Sequence, residues 1–421
     1  MFSSRLPGAL HENTVTLALA RLRTAGTPII DLTETNPTVV GLPYPPNLHA
    51  ALASPAALTY SPEPLGMLSA REAVSREYAR QGAAVPASRI VLTASTSEAY
   101  SLLFKLLCDA DDEVLIPQPS YPLFEMLSRL DNVKTVPYLL HLHGAWSLDR
   151  ASIERALSSR ARAVLVVSPN NPTGSVLNQD DFDWLATVCG ARGMAIIADE
   201  VFADYQLRDT NWDSATVGKL GSEAVRQWGS EAVRQWGSGI ASLPHCPIAS
   251  LRSPSVLTFS LGGLSKSAGL PQMKLGWIAV SGPDALVHEA IAKLELIGDT
   301  YLSVSTPVQV AAPALIDAGA VIRAAIQARV AANLARCREL VVARPDITML
   351  EPEAGWCVVL QMPATESEEH MVLRLLEQRH VLVHPGYFFD FPKEAFLVLS
   401  LLPPAGVFAE GVARVTGVSA S

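Results

Sequence analysis

The residues of this chain whose types and spacing can do chemistry sit where short apolar runs give way to polar turns. Residues 258–264 lead into Ser265-Lys266-Ser267-Ala268-Gly269-Leu270-Pro271. A lysine set among Gly262, Gly263, Leu264 and Gly269 is not a solvated surface lysine by context. A desolvated amine has a lowered pKa and forms imines with carbonyl compounds. Lysine is scarce, seven in the whole chain, so such chemistry has few other candidates. Residues 195–198 are apolar and end in Asp199-Glu200. A carboxylate in that place is costly unless it meets a cation, and a structural ion pair meets that need as well as a functional one. Residues 163–167 run into Ser168-Pro-Asn-Asn-Pro-Thr-Gly174, a proline-stiffened loop that offers the Asn171 amide as a donor. Residues 89–93 run into Ser95-Thr96-Ser97 and then a helical pattern. Hydroxyls and free N–H groups at a helix start make a phosphate cradle, although Ser and Thr are also the commonest N-caps.

An imine-forming lysine, a buried acid, an amide donor and a phosphate cradle have one economical joint explanation, pyridoxal 5'-phosphate. The acid pairs with the ring nitrogen and keeps it protonated, and the lysine holds the aldehyde and moves the proton. Other signatures are absent from the sequence: G-x-x-x-x-G-K-[ST], G-x-G-x-x-G after a strand, H-E-x-x-H and G-x-S-x-G. His141 and His143 are spaced like a pair on one strand face but lack companion ligands, so no metal site is expected.

The elements that must position these residues alternate along the chain. The spacing predicts helices over 67–81, 97–108, 121–130 and 179–191, and strands over 89–93, 113–116, 163–167 and 195–198. Such alternation indicates an α/β fold: a three-layer large domain with a mostly parallel sheet, which binds ligands outside the carboxyl ends of its strands. The C-terminal part, with helices at 307–318, 321–343 and 366–379 and short strands at 346–350, 356–361 and 396–401, reads as a smaller α+β domain. The expected division is an N-terminal arm or small-domain segment over 1–45, a large cofactor-binding domain over 46–300 and a small domain over 301–421. Proline density before residue 65 favours an extended arm. A surface insertion is expected over 207–250. Within it Gly221-Ser-Glu-Ala-Val-Arg-Gln-Trp228 is repeated at once as 229–236, read as a duplication tolerated in a loop or as a partner-binding segment.

The chain has 421 residues, 49% hydrophobic and 17% charged, with a net charge of -9, which excludes disorder and a nucleic-acid groove. Five scattered cysteines, no signal peptide and apolar runs short of about 20 residues point to a cytoplasmic protein rather than a membrane or disulfide-stapled one.

In sequence order, Asn171-Pro-Thr-Gly174, Asp199-Glu200 and Leu264-Ser-Lys-x-x-Gly-Leu-Pro271 resemble class I/II aminotransferases of the fold-type I pyridoxal-phosphate superfamily. The likeness covers nearly the whole chain, with Tyr60…Gly66, Ala70-Arg-Glu-Ala-Val74 and Pro119-Ser-Tyr-Pro122 also similar. The resemblance implies Lys266 as the Schiff-base lysine and Asp199 as the partner of the ring nitrogen. It implies Asn171 on the ring's 3-oxygen, Tyr121 stacked on the ring face, and Ser95, Thr96 and Ser97 on the phosphate. Tyr60 would reach the phosphate of a neighbouring subunit in a homodimer with shared sites, and Thr35-Asn36 would lie over the substrate.

Four positions depart from the family pattern. Phe202 stands where a tyrosine usually reaches the 3-oxygen, and Gly263 where a serine often binds phosphate. Lys274 replaces a phosphate-gripping arginine, a point charge without the bidentate fork. Val398 in Phe396-Leu-Val-Leu-Ser400 replaces the arginine that grips the substrate α-carboxylate. No arginine occurs between Arg252 and Arg323, where dicarboxylate-specific relatives carry a second one. The expected activity is transfer of an amino group from a neutral or hydrophobic amino acid to a 2-oxo acid. Val398 motivates the alternative, a lyase or decarboxylase on the same fold.

Overall fold

The computed structural model describes residues 2–8, 12–207, 248 and 255–418; the repeat at 221–236 and nearly all of the expected insertion lie outside them. Its centre is an eight-stranded sheet in the order β2-β9-β8-β7-β6-β3-β4-β5. The strands are β2 (Ile90–Thr93), β3 (Glu113–Gln118), β4 (Lys134–His143), β5 (Ala145–Leu148), β6 (Ala161–Val167), β7 (Ala195–Asp199), β8 (Thr258–Gly263) and β9 (Gly276–Ser281). β3, β4, β6, β7 and β8 pair in parallel, whereas β9 runs antiparallel to both β2 and β8. The carboxyl ends of β2, β3, β6, β7 and β8 therefore open on one edge of the sheet. β7 and β8 are buried along their whole length. That explains why β7 reads as a continuous apolar run, while in β8 the buried face also takes in Thr258 and Ser260.

Helices cover both faces. Val91, Leu165, Ile197 and Phe259 pack with Ala99, Leu103 and Phe104 of α3 (Thr96–Leu107) and with Val287 and Leu294 of the helix Asp284–Tyr301. On the other face, Val164, Ile196 and Ala198 pack with Phe182, Leu185 and Cys189 of α6 (Gln179–Arg192). These are the three layers expected of the large domain.

The smaller sheet has the order β10-β11-β14-β13, all antiparallel, with β10 (Thr348–Leu350), β11 (Cys357–Gln361), β13 (His384–Pro385) and β14 (Phe396–Ser400). Two expectations change. The helices expected at 307–318 and 321–343 form one helix, Thr306–Val342, which carries Pro313 inside it. By length and composition that helix is long enough to cross a membrane. Here its Leu315, Ile322, Ile326, Val330 and Leu334 are buried in the largest core cluster, so it behaves as a core helix. The N-terminal segment, expected as an extended arm, contains α1 (Thr14–Thr24) and the two-residue strand β1 (Ile30–Asp31). β1 pairs in parallel with β12 (Val381–Leu382), and Leu32, Val40 and Leu42 enter the core. Proline density recorded the turns between these pieces and missed the apolar anchors among them.

Candidate active site

Lys266 lies in the four-residue helix Leu264–Ser267 that follows β8. The turn is locked from behind: the Arg323 guanidinium donates to the Ser267 carbonyl at 2.9 Å and to Glu77 at 2.8 Å. In front, the Lys266 Nζ stands 4.7 Å from the Trp356 ring centroid and 5.4 Å from that of Phe202. These apolar walls strip water from the amine and hold its pKa below the ordinary lysine value, against the weaker opposing pull of the Asp199 carboxylate. Lysine chemistry at neutral pH needs such an amine, one that spends time unprotonated.

Asp199 ends β7, beside Leu261 of β8 and Val167 of β6. It is 8% exposed, and burial raises its pKa. Three features oppose that rise: the Tyr100 hydroxyl donates to Oδ2 at 2.7 Å, the Val201 N–H donates to Oδ1 at 3.1 Å, and the Lys266 charge is felt from across the cleft. Asp199 and Lys266 sense each other without forming a direct ion pair, so a structural salt bridge is not what occupies this acid.

Asn171 follows β6 on the same edge. Its Oδ1 accepts a hydrogen bond from the Cys357 thiol at 3.6 Å, which leaves the amide N–H groups for another acceptor. Burial pushes the Cys357 thiol up to about 12, so it stays a neutral donor. The structure thus brings Lys266, Asp199, Asn171 and Phe202 to one cleft, joined by Tyr100, Trp356 and Cys357. Those last three escaped sequence reading. Only Cys357 had a signal: strand alternation over 356–361 and 396–401 puts 357 and 359 on one face and 398 and 400 on one face, and the register joins the two.

At the end of β2, Ser95 caps α3: its Oγ accepts from the Glu98 N–H at 3.2 Å, and the Glu98 carboxylate accepts from the Ala94 N–H at 2.5 Å. This near relative of a capping box leaves the first N–H groups of the helix, at Thr96 and Ser97, for a ligand. Strand β9 presses close beneath, since a Cβ on Gly276 would meet Ser95 and Thr93 atoms at 3.0 Å. Lys274, two residues earlier, is exposed on left-handed backbone at φ +49°. At Gly263 a Cβ would stand 3.1 Å from the Leu275 carbonyl oxygen, so the missing serine matches a tight approach of strands.

Tyr121 follows β3 and is 44% exposed. The adjoining Ser120 N–H donates to the Phe389 carbonyl at 2.9 Å, which ties its loop to the aromatic turn Gly386–Phe389 of the small lobe. Thr35 and Asn36 are exposed in a turn bound to the end of β14, where the Ser400 hydroxyl donates to the Glu34 carbonyl at 2.6 Å. Tyr60 is not gathered with the others: it is exposed beside Glu63, Glu98, Tyr301 and Ser303.

The wall opposite the sheet is apolar. Val398 is 1% exposed in a cluster with Leu350, Val359, Phe389, Phe391 and Phe396. Its cross-strand neighbours are Val359 and His384. The His384 ring stacks on Phe388 at 5.0 Å, and burial lowers its pKa.

The donor set fits pyridoxal 5'-phosphate: a desolvated amine, a buried carboxylate, an oriented amide and a helix N-terminus with free N–H groups, all on one sheet edge.

Comparison with known proteins gives the same picture. The family model for aminotransferase class I and II matches residues 29–405. The glutamate-pyruvate aminotransferase AlaA of Haemophilus influenzae is 24% identical over 97% of this chain and 93% of its own length. The alanine aminotransferase of Mycobacterium tuberculosis is 25% identical over 98% and 91%. Among solved structures, an alanine aminotransferase from Pyrococcus furiosus superposes with a TM-score of 0.82 at 21% identity, covering 99% of each chain. An aspartate aminotransferase mutant from Thermus thermophilus gives 0.78 at 20% identity over all of both chains. At such identities the structures speak for the fold.

Proposed function

Because the chain belongs to the class I and II aminotransferases, we propose that it moves an amino group from a neutral, hydrophobic amino acid to a 2-oxo acid, with Lys266 as the Schiff-base lysine. The observation that carries this reading is the pairing of a dehydrated amine and a hydrogen-bonded acid on adjacent strand ends, Lys266 after β8 and Asp199 on β7. Pyridoxal 5'-phosphate supplies an electron-withdrawing ring and an aldehyde. Ser95, Thr96 and Ser97 hold its phosphate at the start of α3, with Lys274 as an outlying positive charge. Asn171 donates to the 3-oxygen and Tyr121 covers one ring face. Asp199 keeps the proton on the ring nitrogen. Lys266, enclosed by Trp356 and Phe202, takes the substrate's Cα proton and returns it, and its dry surroundings keep water from competing.

The donor's character follows from the opposite wall. Val398 and the phenylalanines around it offer no charge, and the exposed rings of Tyr121, Tyr387 and Phe388 give an apolar approach. Thr35 and Asn36 close over the substrate from the β14 side. Exposed Tyr60 suits contact with a second subunit, in a cytoplasmic homodimer that shares its sites. The family and the names of its relatives favour transamination over elimination or decarboxylation.

Purified protein loaded with the cofactor should convert it stoichiometrically to the pyridoxamine form with leucine, methionine or phenylalanine, and slowly with aspartate. Preference for aspartate would overturn the donor assignment; failure of every amino donor to convert it would overturn transamination. In Asp199→Ala the fold should persist while conversion slows at least about a hundredfold, as expected for a lost electrostatic partner.

A further inference from the structure

Tyr100 is a second functional group of α3 that the reading above leaves unused. It lies three residues beyond Ser97, on the same face of the helix. Its side chain is 2% exposed, and its ring meets Phe124 edge-on at 5.2 Å. Its hydroxyl has one partner among the described residues, Asp199 Oδ2, at 2.7 Å. We infer that Tyr100 is a positioning residue that acts through Asp199, so that one helix fixes both the phosphate and the ring-nitrogen ends of the cofactor. The inference rests on the cofactor reading given above.

In a dry site, the single proton between a carboxyl group and a pyridine nitrogen has two placements. It sits on the acid, leaving two neutral groups, or on the nitrogen, leaving an ion pair. Only the second placement makes the ring a strong electron sink. Hydrogen bonds to the carboxylate stabilise its ionised form and shift the proton to the nitrogen. Among the described residues Asp199 receives two such bonds, and only that from Tyr100 comes from a side chain. Because α3 also holds Thr96 and Ser97 in its first turn and Ser95 at its cap, the acid is held in register with the phosphate cradle. The hydroxyl that Phe202 lacks on the 3-oxygen side thus has a counterpart on the nitrogen side.

The test is Tyr100→Phe, loaded with pyridoxal phosphate carrying nitrogen-15 in the ring. The wild-type resonance should lie in the pyridinium range, and that of the variant should move toward neutral pyridine. Conversion by an amino donor should slow about ten- to a hundredfold, the span of one hydrogen bond to an ionised group. The melting temperature of the cofactor-free protein monitors folding. Tyr100→Leu removes the hydroxyl with a different apolar side chain and should move the resonance the same way. An unchanged resonance in either folded variant would overturn the role given to Tyr100. Absence of borohydride-fixable cofactor in the wild type would instead overturn the cofactor reading itself.

Discussion

Asp199 and Val398 both sit on buried strands, one on each wall of the cleft, and their surroundings differ in kind. Burial raises the pKa of Asp199, and Tyr100 and the Val201 N–H, which hold both of its oxygens, pull it back toward the ionised form. Val398 is packed among Val359, Phe389, Phe391 and Phe396, with His384 as its one polar cross-strand neighbour among the described residues. The large-lobe wall is built for fixed charge and the small-lobe wall for shape. A charge survives burial only where partners are supplied in advance, as the strand ends supply them to Asp199 and the surroundings of Val398 do not.

The most severe break of this contrast is Lys266→Ala. The variant should fold but hold no borohydride-fixable cofactor, and its activity should fall at least about a thousandfold, since it lacks both nucleophile and proton carrier. A surviving adduct would move the chemistry to another lysine. Next is Val398→Arg, which places a charge on the apolar wall. Burying an unpaired charge costs about 3–5 kcal/mol, so the variant should unfold at lower denaturant. If carboxylate substrates approach this wall, saturating amino acid should restore part of that loss; no restoration would put the carboxylate elsewhere.

A smaller effect concerns pH. The folded-state pKa of Lys266 lies below that of an unfolded lysine, ~10.4. Between the lowered value and ~10.4 the unfolded chain holds more protons at this site, so its contribution to stability rises with pH across that window. Cofactor-free wild type should therefore gain stability relative to Lys266→Met as the solution becomes alkaline, measured by urea unfolding. A flat difference would mean that the amine is not desolvated. The mildest change is Phe202→Tyr. A hydroxyl that donates to the 3-oxygen stabilises its anion and weakens its hold on the proton shared with the neighbouring nitrogen, so the pH midpoint of the cofactor's visible band should fall by about one unit or less. An unmoved midpoint would place residue 202 out of reach of that oxygen.

Much of the large lobe was legible in the sequence. Helices expected at 67–81, 97–108 and 179–191 appear as Leu68–Arg80, Thr96–Leu107 and Gln179–Arg192, because apolar spacing and caps are local signals. Strands expected at 89–93, 113–116, 163–167 and 195–198 appear as β2, β3, β6 and β7, whereas β8 was legible only as the segment that leads into Lys266. β9 gave no such sign, and neither did the hairpin of β4 and β5 beyond the spacing of His141 and His143. In the site, Lys266 and Asp199 stood out because each interrupts an apolar or Gly-rich context, and Asn171 because it lies in a proline-stiffened loop after an apolar run.

The amino-acid sequence by itself determined which strands end in chemistry-bearing turns and that an amine, an acid and an amide would face one edge, because parallel β-α alternation points all those ends the same way. Tertiary structure alone decided what surrounds them. Tyr100 lies on a helix pattern 99 residues from Asp199, and Trp356 and Cys357 come from the other lobe to enclose Lys266 and hold Asn171. Desolvation and hydrogen bonding depend on which atoms meet across such separations, and no local spacing encodes that meeting.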